Sequence, residues 1–142
     1  MTYTSLLEMY FERSNALQWY WTIYVVVIGG LLAVASMRKE PDTVTTLLVT
    51  VLFCFFAYKN CGAIGDVTAQ RLEVFAALKS EGDRSAALAA AGHAPTADRR
   101  IEAALNPPAF EGVRNFHIAS DVLTVAALWA MEMRRRRVKR AG

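Results

Sequence analysis

ALQWYWTIYVVVIGGLLAVASM, the sequence of residues 16–37, contains no charged side chain. An α-helix rises about 1.5 Å per residue, so about 20 apolar residues cross the hydrocarbon core of a bilayer. This stretch is therefore predicted to be a transmembrane helix. A cleaved secretory signal is the alternative. It is disfavoured because the run is too long, lacks a basic leader and has no small-x-small cleavage site before Arg38.

Two further apolar runs follow. Residues 43–58, TVTTLLVTVLFCFFAY, are uncharged, and the run reaches spanning length when it continues to Ile64. Residues 115–131, NFHIASDVLTVAALWAM, carry one acid, Asp121. The chain is therefore predicted to be an all-α integral membrane protein, 1–142 forming one membrane domain. The three predicted spans cover residues of about 16–37, 43–64 and 113–133.

The distribution of charge predicts the orientation. Residues 134–140 hold six cations directly after the third span, and Arg38 and Lys39 follow the first span. Positive charge near span ends stays cytoplasmic. We therefore expect an outside N-terminus, an outside segment 66–112 and a basic cytoplasmic tail, 134–142. The chain is short, rich in alanine and arginine, and without an organelle signal, so we assign it to a plasma (bacterial inner) membrane.

The segment between the second and third spans, residues of about 66–112, is predicted to be partly helical. A helix that continues from the second span is expected to end at Gly82. A short alanine-rich helix or loop, closed by Gly92, and a helix capped by Thr96 are expected to follow. Large apolar residues are too few here for an independent core, which indicates a lid or a partner-binding surface.

Small and polar residues form a stripe on each predicted span. Helices in lipid associate through close packing of such residues and through polar contacts. The residues predicted to pack are Gly29 and Ala33 on the first span and Thr46, Thr50, Cys54 and Ala57 on the second. Phe55 lies on the opposite face and is expected to face lipid. The stripes would meet one another in one bundle, copies of themselves in an oligomer, or helices of a larger complex.

The third span also carries ionisable residues, which form the one chemical lead in the sequence. An acid at the depth of Asp121 costs about 2–3 kcal/mol on insertion scales unless it has a partner. His117 lies one helical turn away. The predicted intramembrane cluster comprises His117, Asp121, Arg114, Gln18 and Asn60. Two certain ligands are too few for a metal site, so neither metal nor cofactor is predicted.

No catalytic or phosphate-binding motif is recognised in the sequence. We therefore expect a small non-enzymatic structural or accessory subunit that acts through helix–helix and outer-segment contacts. Its partners are the bilayer, copies of itself or a larger membrane complex, and anionic lipid headgroups rather than nucleic acid at the basic tail. The alternative is a pore or a small ion or proton conductor. The layout is similar to that of phage holins, although the long outer segment departs from it. A membrane enzyme using His117 and Asp121 is the third and weakest hypothesis.

Overall fold

The protein is built from long α-helices. The computed structural model describes residues 2–92, 101, 105 and 107–141. In this part of the chain, three long helices follow one another, α1 (Tyr3–Met37), α2 (Thr43–Ala90) and α3 (Phe110–Ala141). All three are long and apolar enough to cross a membrane. The expectation of an all-helical chain with three candidate spans is therefore confirmed.

Helix α1 is longer than the predicted span because the N-terminal arm is part of it. Thr2 caps the helix, since the backbone N–H of Ser5 donates to Thr2 Oγ1 at 3.2 Å and that of Leu6 donates to the Thr2 carbonyl at 3.1 Å. The helix then continues without interruption to Met37. The apolar run and the residues before it therefore belong to one continuous helix.

Asp42 is the N-cap of α2. Its carboxylate accepts a hydrogen bond from the backbone N–H of Thr45 at 3.1 Å and from the Thr45 hydroxyl at 2.5 Å. These two bonds hold the pKa of Asp42 below its ordinary value of 3.8. The short connection of residues 38–42 thus ends in a defined start for the second helix.

Helix α2 continues through Gly82, so the expectation that it ends there is wrong. A glycine inside a helix costs about 1 kcal/mol relative to alanine, which good helix formers on both sides can offset. Leu78 and Ser85, on either side of Gly82, are buried. The helix ends instead before Gly92, which has a φ of 89° and donates from its N–H to the Ala89 carbonyl at 3.0 Å. The helix predicted after Thr96 lies outside the described residues, apart from Ile101 and Leu105.

The chain divides into two compact units. The first contains Met1–Gln18 and Ile64–Phe110. Its buried apolar cluster joins α1 to the C-terminal half of α2, so the part of segment 66–112 that contributes to it packs on α1 rather than on itself. The cluster consists of Tyr3, Leu6, Tyr10 and Leu78, with Leu7, Val74, Phe75 and Leu105 packed against it.

The second unit contains Trp19–Ala63 and Glu111–Gly142, and parts of all three helices pack within it. Its buried residues recur mainly at steps of three, four or seven, the spacing of helices that pack side by side. They are Tyr24 and Ala35 on α1, Thr46, Phe53, Ala57 and Asn60 on α2, and His117, Thr124, Leu128 and Glu132 on α3.

The small-residue stripe of α1 does not pack within the chain. Gly29 and Ala33 are exposed, and a Cβ on Gly29 would meet no atom of the described structure within 4 Å. On α2, Thr46 and Ala57 are buried, Thr50 is half-buried and Cys54 is exposed. The packing role expected of Gly29, Ala33 and Cys54 stays a prediction. It now concerns contacts outside the single chain, because larger side chains such as Tyr24 fill the interior.

Candidate functional site

Four polar side chains from the three helices meet in the second unit. Tyr24 comes from α1, Asn60 from α2, and His117 and Asp121 from consecutive turns of α3. We refer to these four residues as the polar cluster. The cluster concentrates hydrogen-bonding groups from all three helices at one level of the unit.

His117 lies at the centre of the polar cluster. Its Nδ1 is 2.9 Å from Asp121 Oδ2, and its Nε2 is 3.2 Å from Asn60 Nδ2. The Tyr24 hydroxyl donates to Asp121 Oδ1 at 2.7 Å and approaches the His117 carbonyl at 3.3 Å. Each helix therefore contributes at least one hydrogen-bonding group, and Asp121 accepts bonds at both carboxylate oxygens.

Aromatic rings enclose the imidazole. His117 is 0% exposed, and its ring centroid is 4.1 Å from that of Tyr24 and 5.8 Å from that of Trp21. Trp21 also packs against Phe116 at a centroid distance of 5.9 Å. The imidazole is thus kept away from solvent, whereas the Asp121 side chain retains 23% exposure.

With Asp121 ionised, the protons of the polar cluster can be assigned in two ways. When the Asn60 amide donates from Nδ2 to Nε2, the imidazole is neutral and Nδ1–H donates to Asp121. When the amide is turned over, Asn60 Oδ1 accepts from Nε2–H, and the ring carries a proton on both nitrogens. Every polar atom of the imidazole has a partner in either state.

The structure brings three of the five expected cluster residues together: Asn60, His117 and Asp121. Arg114 is exposed and forms no ion pair with Asp121 in the described structure. Gln18 is exposed on α1 and belongs to the first unit.

The residues predicted from the sequence to form this cluster do not include Tyr24. The residue is buried and donates to Asp121. A seven-residue repeat of large side chains along α1 would have found it, because that spacing marks the packed face of a helix. The repeat consists of Tyr3, Tyr10, Leu17, Tyr24 and Leu31.

A second polar group lies near the C-terminal end of α3. Glu132 is 1% exposed, and its carboxylate accepts from Arg135 at 3.2 Å and from Arg136 at 3.3 Å. The Thr46 hydroxyl on α2 is 3.3 Å from Glu132 Oε2. Arg135 also donates to the Ala35 carbonyl of α1 at 2.7 Å. Through Thr46 and Arg135, the Glu132 carboxylate therefore connects the end of α3 to the start of α2 and the end of α1.

Apolar packing separates Glu132 from the polar cluster. Asp121 and Glu132 are about 16 Å apart along the helix axis, at about 1.5 Å per residue. Leu128 and Phe53 are buried between these levels. Thr124 is also buried, but its hydroxyl donates to the Ser120 carbonyl of its own helix at 2.8 Å. The two polar groups are therefore distinct sites.

The cluster is suited to hydrogen bonding and to holding a proton. His117 and Asp121, its two candidate metal ligands, are bonded to each other. Among the described residues, no group of three or more His, Cys, Asp or Glu side chains is arranged to hold a metal ion.

Comparisons of the chain with protein-family models, with curated proteins and with solved structures found no match.

Proposed function

We propose that this chain is a three-span integral membrane protein that acts as a structural or accessory subunit rather than as an enzyme. The observation that carries the proposal is a contrast within the second unit. Its buried polar side chains are hydrogen-bonded within the described structure, whereas many of its large apolar side chains are exposed. A protein of this kind offers surface to lipid and to other helices.

The uncovered apolar surface is extensive. In the most apolar 18 consecutive residues of each helix, few residues are buried. The buried share is 11% in α1, 22% in α2 and 22% in α3. Apolar helix surface that is exposed to this extent is typical of membrane or protein contact. Large apolar residues exposed in the second unit include Val25, Val26, Val34, Leu48, Leu52, Phe55, Val122 and Leu123.

The closed polar cluster supports a structural role. A buried polar group without a partner costs free energy, and in a bilayer no water replaces the partner. The bonds of Asp121 to Tyr24 and His117, and of His117 to Asn60, tie the three helices together at one level. The cluster then specifies how the helices pack, which is a common use of polar residues between spans.

The proposal includes the orientation and partners expected from the sequence. The N-terminus and the 66–112 segment lie outside a bacterial inner membrane, and the 134–142 tail lies in the cytoplasm against anionic headgroups. Partner helices bind the exposed faces, as copies of this chain or as components of a larger complex. The outer segment supplies a second contact surface.

The test is the assembly state of the tagged full-length chain, extracted from membranes in mild detergent. We expect an oligomer or a stoichiometric complex. Gly29→Leu combined with Ala33→Leu should dissociate it, because these exposed small residues permit close helix approach. Gly62→Leu is the matched control, since Gly62 is equally open and lies outside the stripe. A wild-type chain that is monomeric and without a partner would contradict the proposal.

The alternative is a holin-like pore or a small ion or proton conductor. The exposed polar and small residues of α1, among them Asn15, Gly29, Ala33 and Ser36, favour it, because they would line a channel in an oligomer. The apolar packing of Leu128 and Phe53 opposes conduction through a single chain. Dye release or proton flux in liposomes that contain the purified protein would support the pore over the accessory subunit.

A further inference from the structure

We propose that the cytoplasmic end of the second unit holds a binding site for one anionic phospholipid. Its phosphate occupies a basic cavity at the helix ends, and an acyl chain occupies an apolar groove beside the cavity. The inference rests on the proposed membrane orientation and goes beyond a general attraction between the basic tail and headgroups.

The cavity has a volume of about 570 Å³. It lies between the connection that follows α1 and the last turns of α3, and its size is within the range of ligand sites. Five of its ten lining residues are cations, and the others include one acid, Glu40, and the apolar side chains of Met131 and Val138. The lining residues are Ser36, Arg38, Lys39, Glu40, Pro41, Met131, Arg134, Arg135, Val138 and Lys139.

Three of the lining cations already have acidic partners. Arg38 lies 3.5 Å from Asp42, Arg135 lies 3.2 Å from Glu132, and Lys139 lies 3.3 Å from Glu40.

The other two lining cations, Lys39 and Arg134, form no ion pair with any residue that the structure describes. Nε of Arg135 is also without a hydrogen-bond acceptor there. Two uncompensated cations at one cavity match the charge of a phosphate group.

The groove supplies the apolar part of the site. It has a volume of about 350 Å³ and lies along α1, α2 and α3. Arg38 and Arg135 line both the groove and the cavity, so the two spaces lie on either side of these side chains. The remaining groove residues are Val26, Val27, Gly30, Leu31, Val34, Ala35, Thr45, Thr46, Val49 and Leu128.

An anionic phospholipid fits this combination better than a soluble phosphate compound does. A soluble compound would use the cations but leave the valine- and leucine-lined groove empty. A zwitterionic lipid would fill the groove, but the positive charge of its headgroup would oppose Lys39 and Arg134. In the proposed orientation the cavity lies at the headgroup level of the cytoplasmic leaflet, where anionic lipids bind basic pockets between spans.

Binding is measured on the purified full-length protein in neutral detergent by native mass spectrometry. Phosphatidylglycerol and phosphatidylcholine with identical acyl chains are titrated separately. We expect one phosphatidylglycerol per chain, bound about tenfold or more tightly than phosphatidylcholine, as two cations at a lipid surface can supply. Equal affinity for the two lipids would overturn the proposal.

A pair of double variants tests the headgroup cavity. Lys39→Gln with Arg134→Gln should abolish the preference for phosphatidylglycerol. Arg137→Gln with Arg140→Gln removes the same charge from residues outside the cavity lining, so it should keep the preference. An equal loss in both variants would show that the tail binds headgroups without a site.

The groove has its own test. Gly30→Leu places a side chain where a Cβ meets nothing within 4 Å in the described structure, and it should weaken phosphatidylglycerol binding severalfold. Gly62→Leu makes the same change outside the groove and should leave binding unchanged. Unchanged binding in Gly30→Leu, or displacement of the lipid by equimolar glycerol phosphate, would contradict an acyl-chain site. The amount of each variant recovered from the membrane fraction is measured in parallel. A variant that fails to insert is thereby distinguished from one that inserts but fails to bind lipid.

Discussion

At the residue scale, Asp121 depends on donors from two helices. Tyr24 of α1 bonds one of its carboxylate oxygens, and His117 of its own helix bonds the other. Charge-assisted hydrogen bonds of this type are stronger than bonds between neutral groups. The carboxylate therefore links helices that apolar packing alone would allow to slide or rotate.

Substitutions of Asp121 separate hydrogen bonding from charge. Asp121→Asn keeps an acceptor for one donor and should lower the free energy of unfolding by about 1 kcal/mol. Asp121→Leu leaves the Tyr24 hydroxyl with only the His117 carbonyl at 3.3 Å and removes the partner of His117 Nδ1, so it should cost about 2–3 kcal/mol. Thermal unfolding in detergent, followed by circular dichroism, gives the comparison. If Asp121→Leu proved as stable as wild type, the cluster would have no structural role.

Arg71 is a second residue with unusual surroundings. It lies on α2 in the first unit and is 7% exposed, yet its Nε and Nη2 atoms are buried without a hydrogen-bond partner in the described structure. A buried cation without a partner destabilises the folded state.

Arg71→Met should therefore raise the free energy of unfolding, by about 1–3 kcal/mol, the cost of leaving such donors unsatisfied. Arg84→Met on the same helix is the control, since Arg84 is mostly exposed and, among the described residues, forms one long ion pair, with Glu81 at 3.9 Å. The control should change stability by less than about 0.5 kcal/mol. A lower unfolding midpoint for Arg71→Met would show that the guanidinium contributes to stability.

At the scale of the element, the start of α2 responds to pH through Asp42. The bonds from Thr45 lower the pKa of Asp42 in the folded protein, so the carboxylate stabilises the cap at pH values above its ordinary pKa of 3.8. This contribution is lost as the pH falls through the lowered pKa of the folded state. An NMR titration of the Asp42 carboxyl should give a midpoint below 3.8.

Asp42→Asn is the matching variant, because the amide oxygen still accepts from the Thr45 N–H but does not titrate. Hydrogen exchange at the first turn of α2 should become faster below pH 3.8 in the wild type, relative to the variant. The same pH dependence in both proteins would exclude Asp42 as its origin.

Which face of each helix is buried is harder to predict from the sequence than where the helices lie. The spans follow from uncharged length, which is a property of each segment alone. Which face of α1 turns inward depends on its neighbours. Tyr24 is favoured there because its ring packs on His117 and its hydroxyl reaches Asp121, whereas Gly29 and Ala33 offer too little side chain to fill the same space.

At the scale of the whole molecule, the three-span topology is tested by cysteine labelling. The parent is the full chain with Cys54 and Cys61 replaced by alanine. Ala87→Cys, on an exposed position of α2, should react with a membrane-impermeant maleimide in intact cells. Ala141→Cys, after the basic tail, should react only after permeabilisation. Labelling of both positions from the same side would exclude three spans.

The sequence by itself determined that the chain contains three apolar helices. It also identified His117 and Asp121 as neighbours, because residues four apart on a helix share a face. The tertiary structure decided the contacts between helices. It brought Tyr24 and Asn60 to the His117–Asp121 pair, left Gly29 and Ala33 outside, and placed the basic cavity beside the apolar groove. The physical reason is that hydropathy and local spacing act within one helix, whereas the rotation of each helix is set by side-chain volume and hydrogen bonding across the interface.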